Sequence, residues 1–144
     1  TTPAGATTAA LVESVDIYPT LCELAGLPLP STQEFDGVSL VPVLRDPSQT
    51  VQEAIFHVYP RSSKERGQLV GRAVRTDRYR LVEWKQPGAA AGTAELELYD
   101  YVSDPAELRN LAAEQPAIVS ELRAILAQQP EARPQFKAPA NAKK

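Results

Sequence analysis

The chain has 144 residues, 43% apolar and 23% charged, with a formal net charge of -3, which suits a soluble globular fold with its own core and excludes disorder throughout. No apolar run approaches the ~20 residues that a membrane-spanning helix needs, residues 1–10 lack the charged start and apolar middle of a signal peptide, and the single cysteine excludes an internal disulfide or a multi-cysteine zinc site. The sequence contains no methionine, as expected of a fragment or excised domain.

Residues 1–10 are small and polar without periodicity and predict a loop. Pro19 has no backbone donor and belongs in a first helical turn, so Ser14 or Asp16 is the expected N-cap of a helix ending at Ala25. Gly26 is the expected stop, with Pro28 just beyond. Ile17, Leu21, Leu24 and Ala25 share one stripe of that helix, which predicts that the stripe is buried. Cys22 is a small apolar residue within it. Asp36-Gly37 predicts a turn, and Ser39 the cap of a short helix through Leu40, Val43 and Leu44 that Asp46-Pro47 ends.

Residues 54–59, 69–76, 79–84 and 95–101 are rich in β-branched and aromatic residues and predict four strands. Thr76-Asp77-Arg78 is a tight hairpin between the second and third, and QPGAAAGT is a loop between the third and fourth. Asp104 and Pro105 predict a helix start. Ile118, Val119, Leu122, Ile125 and Leu126 recur at helical spacing and predict a terminal amphipathic helix packed on one sheet face. The tail from Pro130 is Pro- and Ala-rich and is expected to trail over the surface. The class is therefore α+β, with a four-stranded antiparallel sheet whose edges need cover.

Arg61, Lys64, Arg66, Arg72, Arg75, Arg78, Arg80 and Lys85 face only Glu65, Asp77 and Glu83 across the same window. The middle of the chain is locally basic and suits an anionic partner, although arginines on a hairpin are also commonly solvated or paired with acids elsewhere. His57 is the single histidine, and Asp16, Asp36, Asp46, Asp77, Asp100 and Asp104 fall at helix starts and turns, where carboxylates cap backbone donors. Neither a converging metal cluster nor a G-x-S-x-G elbow is evident. Gly88 and Gly92 lie in an alanine-rich linker rather than a phosphate loop.

Four blocks, VDIYPTLCELAGLPLP, DGVSLVPVL, RAVRTDRYRLVEW and ELYDYVSDPAELRNLA, resemble in order and spacing the C-terminal regions of type I sulfatases of the alkaline-phosphatase superfamily. Tyr59-Pro60-Arg61 together with RTDRYR brings the iduronate 2-sulfatase branch nearest. The resemblance implies that residues 1–50 close a larger α/β domain, that 51–129 form the C-terminal subdomain, and that 130–144 are a flexible tail. It implies a parent enzyme using calcium and a formylglycine made from a C/S-x-P/A-x-R motif. That motif is not in this sequence, where Cys22 precedes Glu23, Leu24, Ala25 and Gly26, so no catalytic or metal-binding residue and no cofactor is assigned to this chain, which is expected to be inactive alone.

By position in such enzymes, the segment HVYPRSSKER, with His57, Tyr59, Arg61, Lys64 and Arg66, is the candidate substrate-binding stretch, because cations and aromatic faces suit a sulfated saccharide. A hydrogen-bonded core histidine is the plainer role for His57. The implied partner is the N-terminal catalytic domain, with no nucleic acid and no membrane, and a periplasmic or secreted parent is expected. Two other functions fit the residues: a stand-alone module binding anionic glycans through residues 61–85, and the same subdomain of a phosphonate or phosphodiester hydrolase.

Overall fold

The computed structural model describes residues 2–132, so most of the Pro-rich tail expected from residue 130 lies outside the described residues. Two compact units are present: residues up to 55 with 75–78, and residues 56–74 with those from 79 onward.

In the first unit a 3-10 turn, Ser14–Asp16, leads into α1, Ile17–Leu24. Gly26 adopts φ +67°, the left-handed conformation that ends helices, and the Leu27 N–H donates back to the Cys22 carbonyl at 2.9 Å. α2, Val41–Arg45, follows, its first free amide donating to Ser39 Oγ. Asp16 organises this unit. Its fully buried carboxylate accepts from the Glu13 N–H at 2.7 Å, the Val38 N–H at 2.9 Å and Gln52 Nε2 at 3.1 Å. One turn on, Thr20 Oγ1 donates to the Asp16 carbonyl and accepts the Leu40 N–H. One side chain from the 3-10 turn and one from α1 thus hold the loop into α2, which explains why Asp36 is followed by glycine: a Cβ at Gly37 would lie 2.1 Å from the Val15 carbonyl oxygen.

The use of that face corrects one expectation. Ile17, Leu21 and Leu24 are 56%, 57% and 60% exposed, while Asp16, Pro19 and Thr20 are buried. The polar edge of the helix is turned inward because it supplies the hydrogen bonds, and the apolar stripe is left outward.

The second unit holds β1, Ile55–Ser63, β2, Gly67–Arg75, β3, Tyr79–Lys85, and β4, Glu95–Asp100, with terminal residues Ile55 and Arg75 counted in the first. They form one sheet in chain order, with β3 and β4 antiparallel and Leu81 opposite Leu98. β1 runs four residues beyond the expected strand, so HVYPRSS lies wholly in β1 and KER forms the turn into β2.

α3, Pro116–Leu126, buries Val119, Leu122 and Leu126 and packs on β3. Each such side chain contributes about 2 kcal/mol on leaving water. Arg123 anchors the helix through Nε to Glu83 at 2.6 Å and Nη2 to the Ala91 carbonyl at 3.0 Å.

No helix starts at Pro105. Residues 101–115 make turns instead, and Asp104 accepts the Arg109 N–H in one of them. Glu107 takes φ +57° while its carboxylate receives Arg80 and the Tyr101 hydroxyl. Asn110 then mimics a strand: its Oδ1 accepts the Leu98 N–H and its Nδ2 donates to the Leu96 carbonyl, both at 2.9 Å. The edge of β4 competes successfully for a chain that local propensity would wind into helix. No helix among the described residues is long and apolar enough to cross a membrane.

Candidate functional site

Strand alternation divides the side chains of the sheet between two faces. Glu83 and Lys85 point with Leu81 to the face that carries α3, so Arg80, Val82 and Trp84 occupy the other, joined by Glu97 and Tyr99 through the β3–β4 register. His57, Tyr59, Gly71, Ala73, Arg80, Val82, Trp84 and Glu97 line a shallow pocket of about 180 Å³ on this face.

The indole of Trp84 forms the floor. It lies across β2 because position 71 is glycine: a Cβ there would meet ring atoms at 2.6–2.8 Å. Above it sits the Arg61 guanidinium, 4.1 Å from the ring centroid, within cation–π range. His57 and Tyr59 stack with centroids 6.3 Å apart. On the far side Arg80 lies 5.4 Å from the Tyr99 ring, and the Tyr99 hydroxyl is raised above its ordinary range, chiefly by burial and then by Glu97. Trp84 Nε1 is buried with no hydrogen-bond partner among the described residues.

Of the five residues the sequence singled out, the structure gathers His57, Tyr59 and Arg61 around Trp84. Arg66 is tied in at the edge, its guanidinium bonded to Glu95, whose carboxylate also lies 3.8 Å from Arg61. Lys64 is exposed in the β1–β2 turn and does not line the pocket. The basic run is therefore less free than its composition implies, because Glu95 answers two of its arginines and Glu107 pairs with Arg80. Arg80 belonged to the basic run, whereas Trp84, Gly71 and Glu97 escaped the sequence reading. Period-two alternation through Arg80, Val82 and Trp84 was the available signal.

The arrangement offers a flat aromatic floor with cations at its rim, groups that suit the apolar face and anionic substituents of a sugar. Among the described residues no three His, Cys, Asp or Glu side chains converge as metal ligands, and Cys22 lies within α1.

Comparison with known proteins identifies the family and the fold. The family model described as N-sulphoglucosamine sulphohydrolase, C-terminal, matches residues 1–132. A Δ4,5-hexuronate-2-O-sulfatase of Bacteroides thetaiotaomicron is 36% identical over 115 residues, covering 78% of this chain and 22% of that protein. Arylsulfatase K of Bos taurus is likewise 36% identical over 115 residues, covering 78% of this chain and 20% of its own length. The solved structure of BT4656 in complex with its substrate D-glucosamine-2-N,6-O-disulfate superposes with a TM-score of 0.71 at 29% identity, over 88% of this chain and 25% of the other. The chain thus spans about a fifth to a quarter of the length of these relatives. Sequence match and four-stranded sheet with its packed helix agree: this chain belongs to the N-sulphoglucosamine sulphohydrolase C-terminal family, the C-terminal domain of sulfatases.

Proposed function

We propose that this chain is the supporting C-terminal lobe of a sulfuric ester hydrolase acting on a sulfated saccharide, and that the open face of its sheet meets the sugar. The observation that carries this reading is the Trp84 floor with Arg61 over it and His57 and Tyr59 beside it. Two of the relatives point the same way by their names, one a hexuronate 2-O-sulfatase and one bound to a disulfated glucosamine. Calcium, formylglycine and the groups that break the S–O bond are placed in the N-terminal catalytic domain of the parent, which would cover the outward stripe of Ile17, Leu21 and Leu24.

On this reading Tyr59 and Arg61 bind the saccharide without taking part in the chemistry. In the parent enzyme, Tyr59→Ala with Arg61→Ala removes a stacking and a cationic contact of about 1–2 kcal/mol together. KM for a sulfated saccharide should rise roughly 5- to 30-fold, with kcat and the turnover of a small aryl sulfate unchanged. An equal loss on both substrates, or no loss on either, would overturn the assignment of this face.

A further inference from the structure

The face of the sheet that carries α3 holds a second feature, separate from the saccharide face. An open cleft of about 610 Å³ lies between sheet and helix, lined among others by Arg72, Glu83, Lys85, Ser120, Arg123 and Glu131. Arg72 and Lys85 are only 6% and 8% exposed. Cations so removed from water are strongly disfavoured unless an anion or several acceptors face them.

The acceptors can be counted. Arg123 takes Glu83. Arg72 Nη2 donates to the Leu126 and Gln129 carbonyls at 2.9 Å each, at the negative end of α3. What remains, Arg72 Nη1 and Lys85 Nζ, converges on a single oxygen, Glu131 Oε1, at 3.2 and 3.0 Å. Among the described residues Glu131 is the one partner of the Lys85 ammonium. Glu131 itself is a poor fixture, with a side chain 66% exposed, beyond the last turn of α3. The buried side of the interaction is built and the carboxylate side is loose.

We propose that Arg72 and Lys85 form an oxyanion-binding site, for a sulfate or carboxylate group, which the chain's own Glu131 fills in this structure. Two donors aimed at one oxygen recognise an oxyanion as such rather than the glutamate that carries it. Lys85 supplies a point charge and Arg72 a fixed fork whose second nitrogen is held by the helix carbonyls. With Glu131 withdrawn, two buried cations face the cleft and the site accepts an anion from solution. The occupant is either free inorganic sulfate or the sulfate ester of a small sugar.

The test uses the 144-residue chain and its Glu131→Ala and Glu131→Gln variants, titrated with sodium sulfate at constant ionic strength and followed by NMR at the Lys85 ammonium and the Gln129 amide. Both variants should bind sulfate saturably in the millimolar range. The wild-type chain should bind at least ten-fold more weakly, because Glu131 competes. The double variant Lys85→Met/Glu131→Gln should show no saturable response. Repeating the titration with a sulfated monosaccharide separates the sources: tighter binding than free sulfate identifies the ester as ligand, and equal or weaker binding identifies the free ion. If neither Glu131 variant saturates, or if the Lys85→Met double variant saturates equally, the site does not exist. Glu131→Gln keeps size and hydrogen bonding, so a folding failure of Glu131→Ala leaves the comparison intact.

Discussion

Trp84 rests against Gly71 so closely that a single added methyl group would overlap its ring. One glycine therefore sets where the indole lies, and the indole sets where Arg61 sits. Gly71→Ala should force the ring off β2 and cost about 1–3 kcal/mol through overpacking. Because Trp84 is the only tryptophan, its fluorescence reports the displacement directly: a red-shifted emission, with a lower urea midpoint at an unchanged slope, is the expected outcome. Unchanged emission and stability would mean that the ring does not lie where described.

Asp16 gathers three donors, one local and two from distant parts of the first unit, onto one buried carboxylate. Asp16→Ala strands the Glu13 and Val38 amides without their acceptor, at about 1–3 kcal/mol for each unmet group. Hydrogen exchange checks this with local resolution: protection at Val38 should fall by at least ten-fold, while Leu98 in β4 keeps its own.

Leu21 and Leu24 lie on the outward stripe of α1. Replacing both by glutamate should leave the stability of the 144-residue chain within about 0.5 kcal/mol, as for exposed positions generally. In the parent enzyme the same change should be costly, about 2 kcal/mol or more per leucine, if the catalytic domain covers them. Thermal denaturation of both forms measures the contrast, and equal small effects in each would leave the stripe without a cover.

Lys85, by its hydrogen bond, holds the Glu131 carboxyl below its ordinary 4.5, with Arg72 assisting through charge. A carboxyl depressed in the folded state contributes stability that is present in full above its unfolded value and is lost as pH falls through the lower folded value. The closure of the C-terminal segment on the sheet should therefore hold at pH 6 and loosen only below the ordinary glutamate range. A carboxyl NMR titration should place the Glu131 midpoint below that of an exposed glutamate, and Lys85→Met should return it upward. An identical midpoint in wild type and variant would show that the bond is not formed in solution.

Much of the architecture was legible in the residues themselves. The four strands, the hairpin at 76–78, the glycine stop after α1 and the register of apolar residues along α3 all follow from local rules, and the order of four sequence blocks pointed to the sulfatase C-terminal domain before any coordinates. The candidate site was only half legible. HVYPRSSKER drew attention through its cations and rings, yet the strand that carries it places alternate residues on opposite faces, so His57, Tyr59 and Arg61 meet Trp84 from another strand while Lys64 stays in the turn.

What the amino-acid order determined by itself was whatever depends on neighbours within a few positions: the periodicity of α3, the turn at 76–78 and the glycine stop after α1. Tertiary structure alone decided which face of α1 points inward, because Asp16 and Thr20 find their donors some 20 residues away in Val38 and Leu40. It decided that residues 105–112 run along β4 through Asn110 instead of forming a helix. It also decided that two cations of the basic stretch, Arg72 and Lys85, lie buried against a glutamate at the end of the described chain. Each of these rests on a long-range hydrogen bond or ion pair, whose free energy exceeds the small local preferences that a sequence displays.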